Sequence, residues 1–209
     1  MEENKTNITF EFVKFCKSFY NILILGDPKV GKTSLIKTLK EQFPEAYLGT
    51  EGLEFYYLKA KINTKELNFR ILDMCGNKEY IISMAENLFK DISIAIIIYD
   101  ITSRESYNDV DDWIRILNNR GVENAILVGN KVDLSESQRK VSEEELQKKC
   151  DSFKMIKKGL ECSARNKTNI NEIFEEAIRI VYDKEKDNLK ENTELVPKPK
   201  KKGCCPSCQ

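Results

Sequence analysis

Gly26-Asp27-Pro28-Lys29-Val30-Gly31-Lys32-Thr33 decides the fold. The stretch reads G-x-x-x-x-G-K-T. It follows the apolar run Ile22-Leu23-Ile24-Leu25 and opens Lys32 to Gln42, where Leu35, Ile36 and Leu39 have helical spacing. A glycine-bearing turn between a buried strand and a helix can aim the backbone N–H groups from Lys29 through Val30, Gly31 and Lys32 to Thr33 and Ser34 at phosphate oxygens, and the helix dipole favours the same charge. The Lys32 ammonium would reach the β and γ phosphates, and the Thr33 hydroxyl would ligate Mg²⁺. Alone, the motif specifies a nucleoside triphosphate without naming the base.

Outward from this loop, strand-like and helix-like stretches alternate. Phe55 to Ile62 and Leu67 to Leu72 read as strands around a hairpin turn at Asn63-Thr64-Lys65-Glu66. Ile94 to Tyr99, Ala125 to Val128 and Gly159 to Cys162 read as further strands; Glu105 to Asn118, Val141 to Cys150 and Ile170 to Tyr182 read as helices. Continuous apolar strands between helices mean a mostly parallel sheet with helices on both faces. In such sheets ligands bind at the carboxyl ends of the strands, so the chemistry is expected there.

The motifs fall at those ends. Val128-Gly129 leads into Asn130-Lys131-Val132-Asp133. The Asp133 carboxylate can accept from guanine N1–H and the 2-amino group; adenine offers neither donor. Cys162-Ser163-Ala164-Arg165 ends a later strand, and the Ala164 N–H would suit guanine O6. Asp73, in Asp73-Met74-Cys75-Gly76, would hold Mg²⁺ through water, and the Gly76 N–H would touch the γ phosphate. Thr50 offers a hydroxyl to the same Mg²⁺. Contacts that need the γ phosphate would make the site a GTP/GDP switch. An ATP-dependent kinase shares only the first motif, and Asn130-Lys131-Val132-Asp133 argues against it.

Composition excludes other classes. The 209 residues carry 34 Lys+Arg against 34 Asp+Glu, so no chain-wide basic field attracts nucleic acid. There is no histidine, which excludes Ser-His-Asp and Cys-His catalysis and every His-containing metal site. The longest apolar run, Ile94 to Tyr99, is far short of the roughly 20 residues a membrane helix needs. The acidic N-terminus reads as neither signal peptide nor myristoylation site, so a cytosolic protein is expected. Seven cysteines, an odd number with three in the last six residues, make no disulfide framework.

With these motifs in place, the chain from about Phe19 to Tyr182 resembles a Ras-superfamily small GTPase, and within it the Rab family. Rab-like wording includes Gly52-Leu53-Glu54-Phe55, Tyr99-Asp100-Ile101-Thr102-Ser103-Arg104-Glu105-Ser106-Tyr107, Trp113, and Gly129-Asn130-Lys131-Val132-Asp133-Leu134. The resemblance implies an α/β P-loop NTPase G domain over residues 19–183: a six-stranded, mostly parallel sheet with one antiparallel strand and helices on both faces. It implies that Phe43 flanks the guanine, where the plain alternative is a core aromatic closing the first helix, and that Lys131 packs on the base. It implies catalysis by Lys32, Thr50 and the residue at Asn77, where relatives carry the Gln that orients water. Asn is one methylene shorter, about 1.5 Å, so slow hydrolysis is expected. Relatives carry small residues, often Gly, at Pro28-Lys29, Thr-Ala at Met74-Cys75, and Trp at Leu72. The last change alters a hydrophobic partner surface shared with Phe55.

Residues 1–18 read as an extension with an aromatic cluster, Phe10, Phe12 and Phe15, and residues 184–209 as a flexible tail. Lys198, Lys200, Lys201 and Lys202 precede Cys204, Cys205 and Cys208. Lipidated cysteines beside a polybasic patch are the two signals stable anchoring needs. Cys204 and Cys205 are the expected prenylation sites, with Cys208 a candidate. The resemblance thus implies a monomeric vesicle-traffic switch at the cytoplasmic face of an intracellular membrane. It would be served by an exchange factor, a GTPase-activating protein, a prenylation escort or GDP-dissociation inhibitor, and effectors. The alternative is a GTP-binding adaptor with negligible hydrolysis.

Overall fold

The protein's structure is a computed structural model, which describes residues 7–16, 18–42, 50, 52–84 and 86–194. In chain order the elements are β1 (Ile8–Val13), β2 (Tyr20–Leu25), α1 (Lys32–Leu39), β3 (Leu53–Ile62), β4 (Lys65–Met74), α2 (Lys78–Ser83), α3 (Glu86–Lys90) and β5 (Ile92–Asp100). There follow α4 (Arg104–Asn108), α5 (Val110–Asn119), β6 (Ala125–Asn130), a turn of tighter helix (Val132–Leu134), α6 (Ser135–Gln138), α7 (Glu143–Ser152), β7 (Ile156–Cys162) and α8 (Ile170–Glu194).

The strands form one sheet in the order β1-β3-β4-β2-β5-β6-β7. β2 pairs in parallel with β4 and β5, β5 with β6, and β6 with β7. Side chains alternate across a strand, and both faces of this sheet are covered. Ile22, Ile24, Ile94, Ile96 and Ile98 join α1 and α8 in one core. Leu23, Leu25, Ala95, Ile97 and Tyr99 join α5 and α7 in the other. That is why β2 and β5 read as unbroken apolar runs.

Four expectations change. The sheet has seven strands rather than six, because Ile8–Val13 pairs antiparallel with β3, from Ile8 opposite Ile62 to Val13 opposite Tyr57. The cause is period-two patterning: Ile8, Phe10 and Phe12 pack on the core while Thr9 and Glu11 face outward. Two strand pairs are therefore antiparallel, β1·β3 and β3·β4. The hairpin turn narrows to Asn63-Thr64, since Ile62 pairs directly with Lys65 and Asn63 takes the left-handed conformation at φ 54°. The helix read as Glu105 to Asn118 is broken at Asp109 into α4 and α5. At the other end α8 runs past Tyr182 to Glu194, so residues 184–194, expected to belong to a flexible tail, continue the helix. The expected lipidation sites Cys204, Cys205 and Cys208 and the lysine cluster lie outside the described residues, as does Phe43.

β3 and β4 lie between β1 and β2 in the sheet, and aromatic residues of the linker that joins β1 to β2 pack against those two strands. Phe15 and Phe19 both set ring edges against Tyr57, and the Arg70 guanidinium lies 4.2 Å from the Phe19 ring centroid.

Candidate nucleotide and metal site

A cleft of about 400 Å³ opens at the carboxyl ends of β2, β4, β6 and β7. Its walls come from segments far apart in sequence. Pro28, Lys29, Gly31, Lys32, Thr33 and Ser34 form one side; Thr50, Cys75, Gly76 and Asn77 the second; Asn130, Lys131, Asp133, Ala164 and Arg165 the third. Pro28, Lys37, Met74, Cys75 and Leu134 also line the cleft, none of them assigned to the site from the sequence. Lys37 was within reach of sequence reasoning: four residues beyond Thr33 on α1, it shares that residue's face.

The loop is held by its own lysine. Lys32 is buried and donates to the Gly26 and Asp27 carbonyls at 2.9 and 2.8 Å. Burial pushes its pKa down to about 8, against the opposing charges of Asp73 and Asp27. Gly26 and Gly31 cannot carry side chains: a Cβ on Gly26 would stand 2.1 Å from the Ile98 carbonyl oxygen, and one on Gly31 2.2 Å from Asn130 Nδ2. Lys29 is also left-handed, at φ 65°, where a glycine would sit without strain. Pro28 packs against the start of the opposite wall, since a Cβ on Gly76 would lie 2.3 Å from the Pro28 nitrogen.

Beneath the loop, three oxygen groups converge. Thr33 Oγ1 lies 2.6 Å from Thr50 Oγ1 and donates to Asp73 Oδ2 at 2.7 Å. Asp73 is fully buried, and its Oδ1 has no hydrogen-bond partner among the described residues. Burial raises its pKa to about 6, with the Thr33 hydroxyl and the Lys32 charge working against the rise. Two hydroxyls and a carboxylate with one unpaired buried oxygen form a hard-oxygen donor set that fits Mg²⁺.

At the other end of the cleft, Asn130 is a strut. Its Nδ2 donates to the Val30 carbonyl at 2.8 Å, and its Oδ1 accepts from the Ala164 N–H at 3.1 Å. It ties the phosphate loop to the loop after β7. Val30 itself is buried beneath the loop. The Ala164 N–H, expected to meet a base oxygen, already has an acceptor. Ser163 is buried and donates to Asp133 Oδ1 at 2.6 Å, orienting that carboxylate. The Lys131 ammonium sits 2.6 Å from Asp100 Oδ2, which stretches the side chain along the cleft wall.

Asn77 stands apart from its expected role. Its Oδ1 accepts from the Tyr80 N–H at 3.0 Å, so the side chain caps α2. Leu72 is fully buried, so the surface it was expected to share with Phe55 is not formed by it; the exposed large apolar groups among the described residues are Phe15, Phe55, Tyr80 and Ile82.

The family model described as Ras family matches residues 21–183. The chain is 31% identical to the Ras-related protein Rab-3 of Caenorhabditis elegans over 185 residues, 87% of this chain and 83% of that one. It is 37% identical to the Ras-related protein Rab5 of Nicotiana tabacum over 158 residues, 74% and 77% of the two chains. It is 31% identical to the human Ras-related protein Rab-3A over 173 residues, 81% and 77%.

Proposed function

The chain belongs to the Ras family and is Rab-like within it, and on that premise we propose that it is a GTP/GDP-dependent switch in membrane traffic that hydrolyses GTP slowly. The observation that carries this reading is the single cleft in which the phosphate loop, the Thr33–Thr50–Asp73 oxygens and the Asn130–Asp133–Ala164 end meet.

In this reading the backbone N–H groups from Lys29 to Ser34 hold the phosphates, and Lys32 places a cation among them. Thr33, Thr50 and Asp73 hold Mg²⁺, which when bound neutralises charge on the phosphate oxygens. Asp133, oriented by Ser163, reads the guanine edge. Water attacks the γ phosphate in line. Asn77 is a poor aid to that water because its carbonyl oxygen is committed to Tyr80 N–H. The same observation favours the second reading, a GTP-binding adaptor with negligible turnover. Membrane attachment through Cys204 and Cys205, with Cys208 in reserve, and service by exchange, activating and escort proteins complete the proposal. Among the described residues no helix is long and apolar enough to cross a membrane.

Single-turnover GTP hydrolysis by Mg²⁺-loaded protein, with ATP as competitor, tests this. GTP loading that ATP does not displace, followed by turnover below about 3–5 × 10⁻⁴ s⁻¹, the intrinsic Ras scale, is the expected result. Turnover that stays negligible even with an activating protein selects the adaptor. Failure to load GTP refutes both.

A further inference from the structure

α2 is six residues long and cannot hold its own conformation. α5 holds it at both ends. At the start, the Lys78 ammonium lies 2.8 Å from Asp109 Oδ2, at the head of α5, and 2.8 Å from Asp112 Oδ2 within it. It also lies 5.7 Å from the Trp113 ring centroid. At the end, Arg120 donates to the Ile82 and Met84 carbonyls at 2.6 and 3.2 Å. These are carbonyls that a helix terminus leaves without internal partners.

The grip reaches the phosphate loop. Trp113 is fully buried and its Nε1 donates to Asp27 Oδ1 at 2.8 Å. Asp27 and Pro28 in turn pack directly on Gly76, two residues before Lys78. One helix thus places both sides of the gap into which a γ phosphate would enter.

We propose that α5 grips α2 at both ends, with Lys78 as a positioning residue that sets Gly76 and Asn77 against the phosphate loop, and that this grip raises the protein's preference for GTP over GDP. The proposal rests on the switch reading above. Its logic is differential contact. A ligand shifts an arrangement only through contacts it makes in one state and not the other. GDP lacks the γ phosphate, so the placement of the Gly76 N–H bears on GTP alone. Burial works against the Lys78 charge, but Asp109 and Asp112 overcome it and hold the pKa above the ordinary lysine value.

The test uses the full chain and the variants Lys78→Met, which keeps the alkyl stem over Trp113 and removes the charge, Lys78→Arg, and Asp109→Asn with Asp112→Asn. Lys59→Met, which breaks a pair with Glu66 on the β3–β4 hairpin, is the control. GTP and GDP affinities are measured by displacement of a fluorescent GDP analogue. Lys78→Met should lower the GTP-to-GDP affinity ratio about fivefold, the effect of two half-exposed ion pairs, with GDP affinity unchanged and a melting temperature lower by about 2–4 °C. The double aspartate variant should do the same, its combination with Lys78→Met should lose nothing further, and Lys78→Arg should retain the ratio. An unchanged ratio in Lys78→Met, or equal weakening of GTP and GDP, overturns the proposal while leaving the switch reading intact. Wild-type protein that takes up neither nucleotide overturns both.

Discussion

Replacing Asn77 by Gln should speed hydrolysis and at the same time make the domain less stable. Asn77 Oδ1 caps α2 by accepting the Tyr80 N–H at 3.0 Å. Asn is among the best N-cap residues, and losing such a cap costs about 1 kcal/mol. For a domain of this size that lowers the melting temperature by about 2–4 °C. The Gln amide extends about 1.5 Å further into the cleft and is free of the cap. Since a misplacement of about 1 Å can cost on the order of a hundredfold, a gain of about tenfold or more in single-turnover GTP hydrolysis is expected. Asn77→Ala supplies the control: the same fall in melting temperature with no gain in rate. Quenched single-turnover assays on Mg²⁺·GTP-loaded protein, run beside thermal melts of the GDP form, measure both quantities. A Gln variant that melts like the Ala variant and hydrolyses no faster than wild type would show that Asn77 does not limit the reaction.

Asn130→Ala should destabilise the domain by about 3 kcal/mol, because it strands the buried Val30 carbonyl and Ala164 N–H, and should speed release of GTP and GDP alike; a stopped-flow release rate within twofold of wild type would count against the strut. Asp73→Asn should abolish Mg²⁺-dependent nucleotide retention and also flatten the acid-side stability profile of the nucleotide-free protein. The sign follows from its raised pKa: between the ordinary value of 3.8 and about 6 the folded state keeps a proton the unfolded chain gives up, so wild-type stability falls as pH rises through that window. Melts at pH 4.5 and 6.5 check it. A chain beginning at Phe19 should lose about 2–4 kcal/mol with the apolar contacts of Ile8, Phe10 and Phe12, yet still bind GDP; an unchanged melting temperature would mean that β1 contributes nothing.

Much of this protein was legible from local chemistry. A strand buried on both faces must be apolar throughout, so Ile22–Leu25 and Ile94–Tyr99 announced a parallel sheet. A chain that turns sharply between a buried strand and a helix must place Gly26 and Gly31 where no Cβ fits. Because each motif follows a strand, the gathering of Lys32, Thr33, Asn130, Lys131 and Asp133 around one cleft followed from the sheet's direction. β1 escaped notice because six residues of alternating pattern become a strand only where an open edge, here β3, accepts them.

Residue types and spacings determined which groups are present and at which strand ends they sit. Only the tertiary structure decided what each group is bonded to. Asn77 caps α2, Asn130 joins two loops, Asp27 is held by Trp113 from 86 positions away, and Lys78 meets Asp109 and Asp112 across three intervening elements. The physical reason is range. Backbone propensity and hydrophobic period act within a few residues, whereas hydrogen-bond partners are chosen by packing, which brings together segments whose separation along the chain carries no local signal.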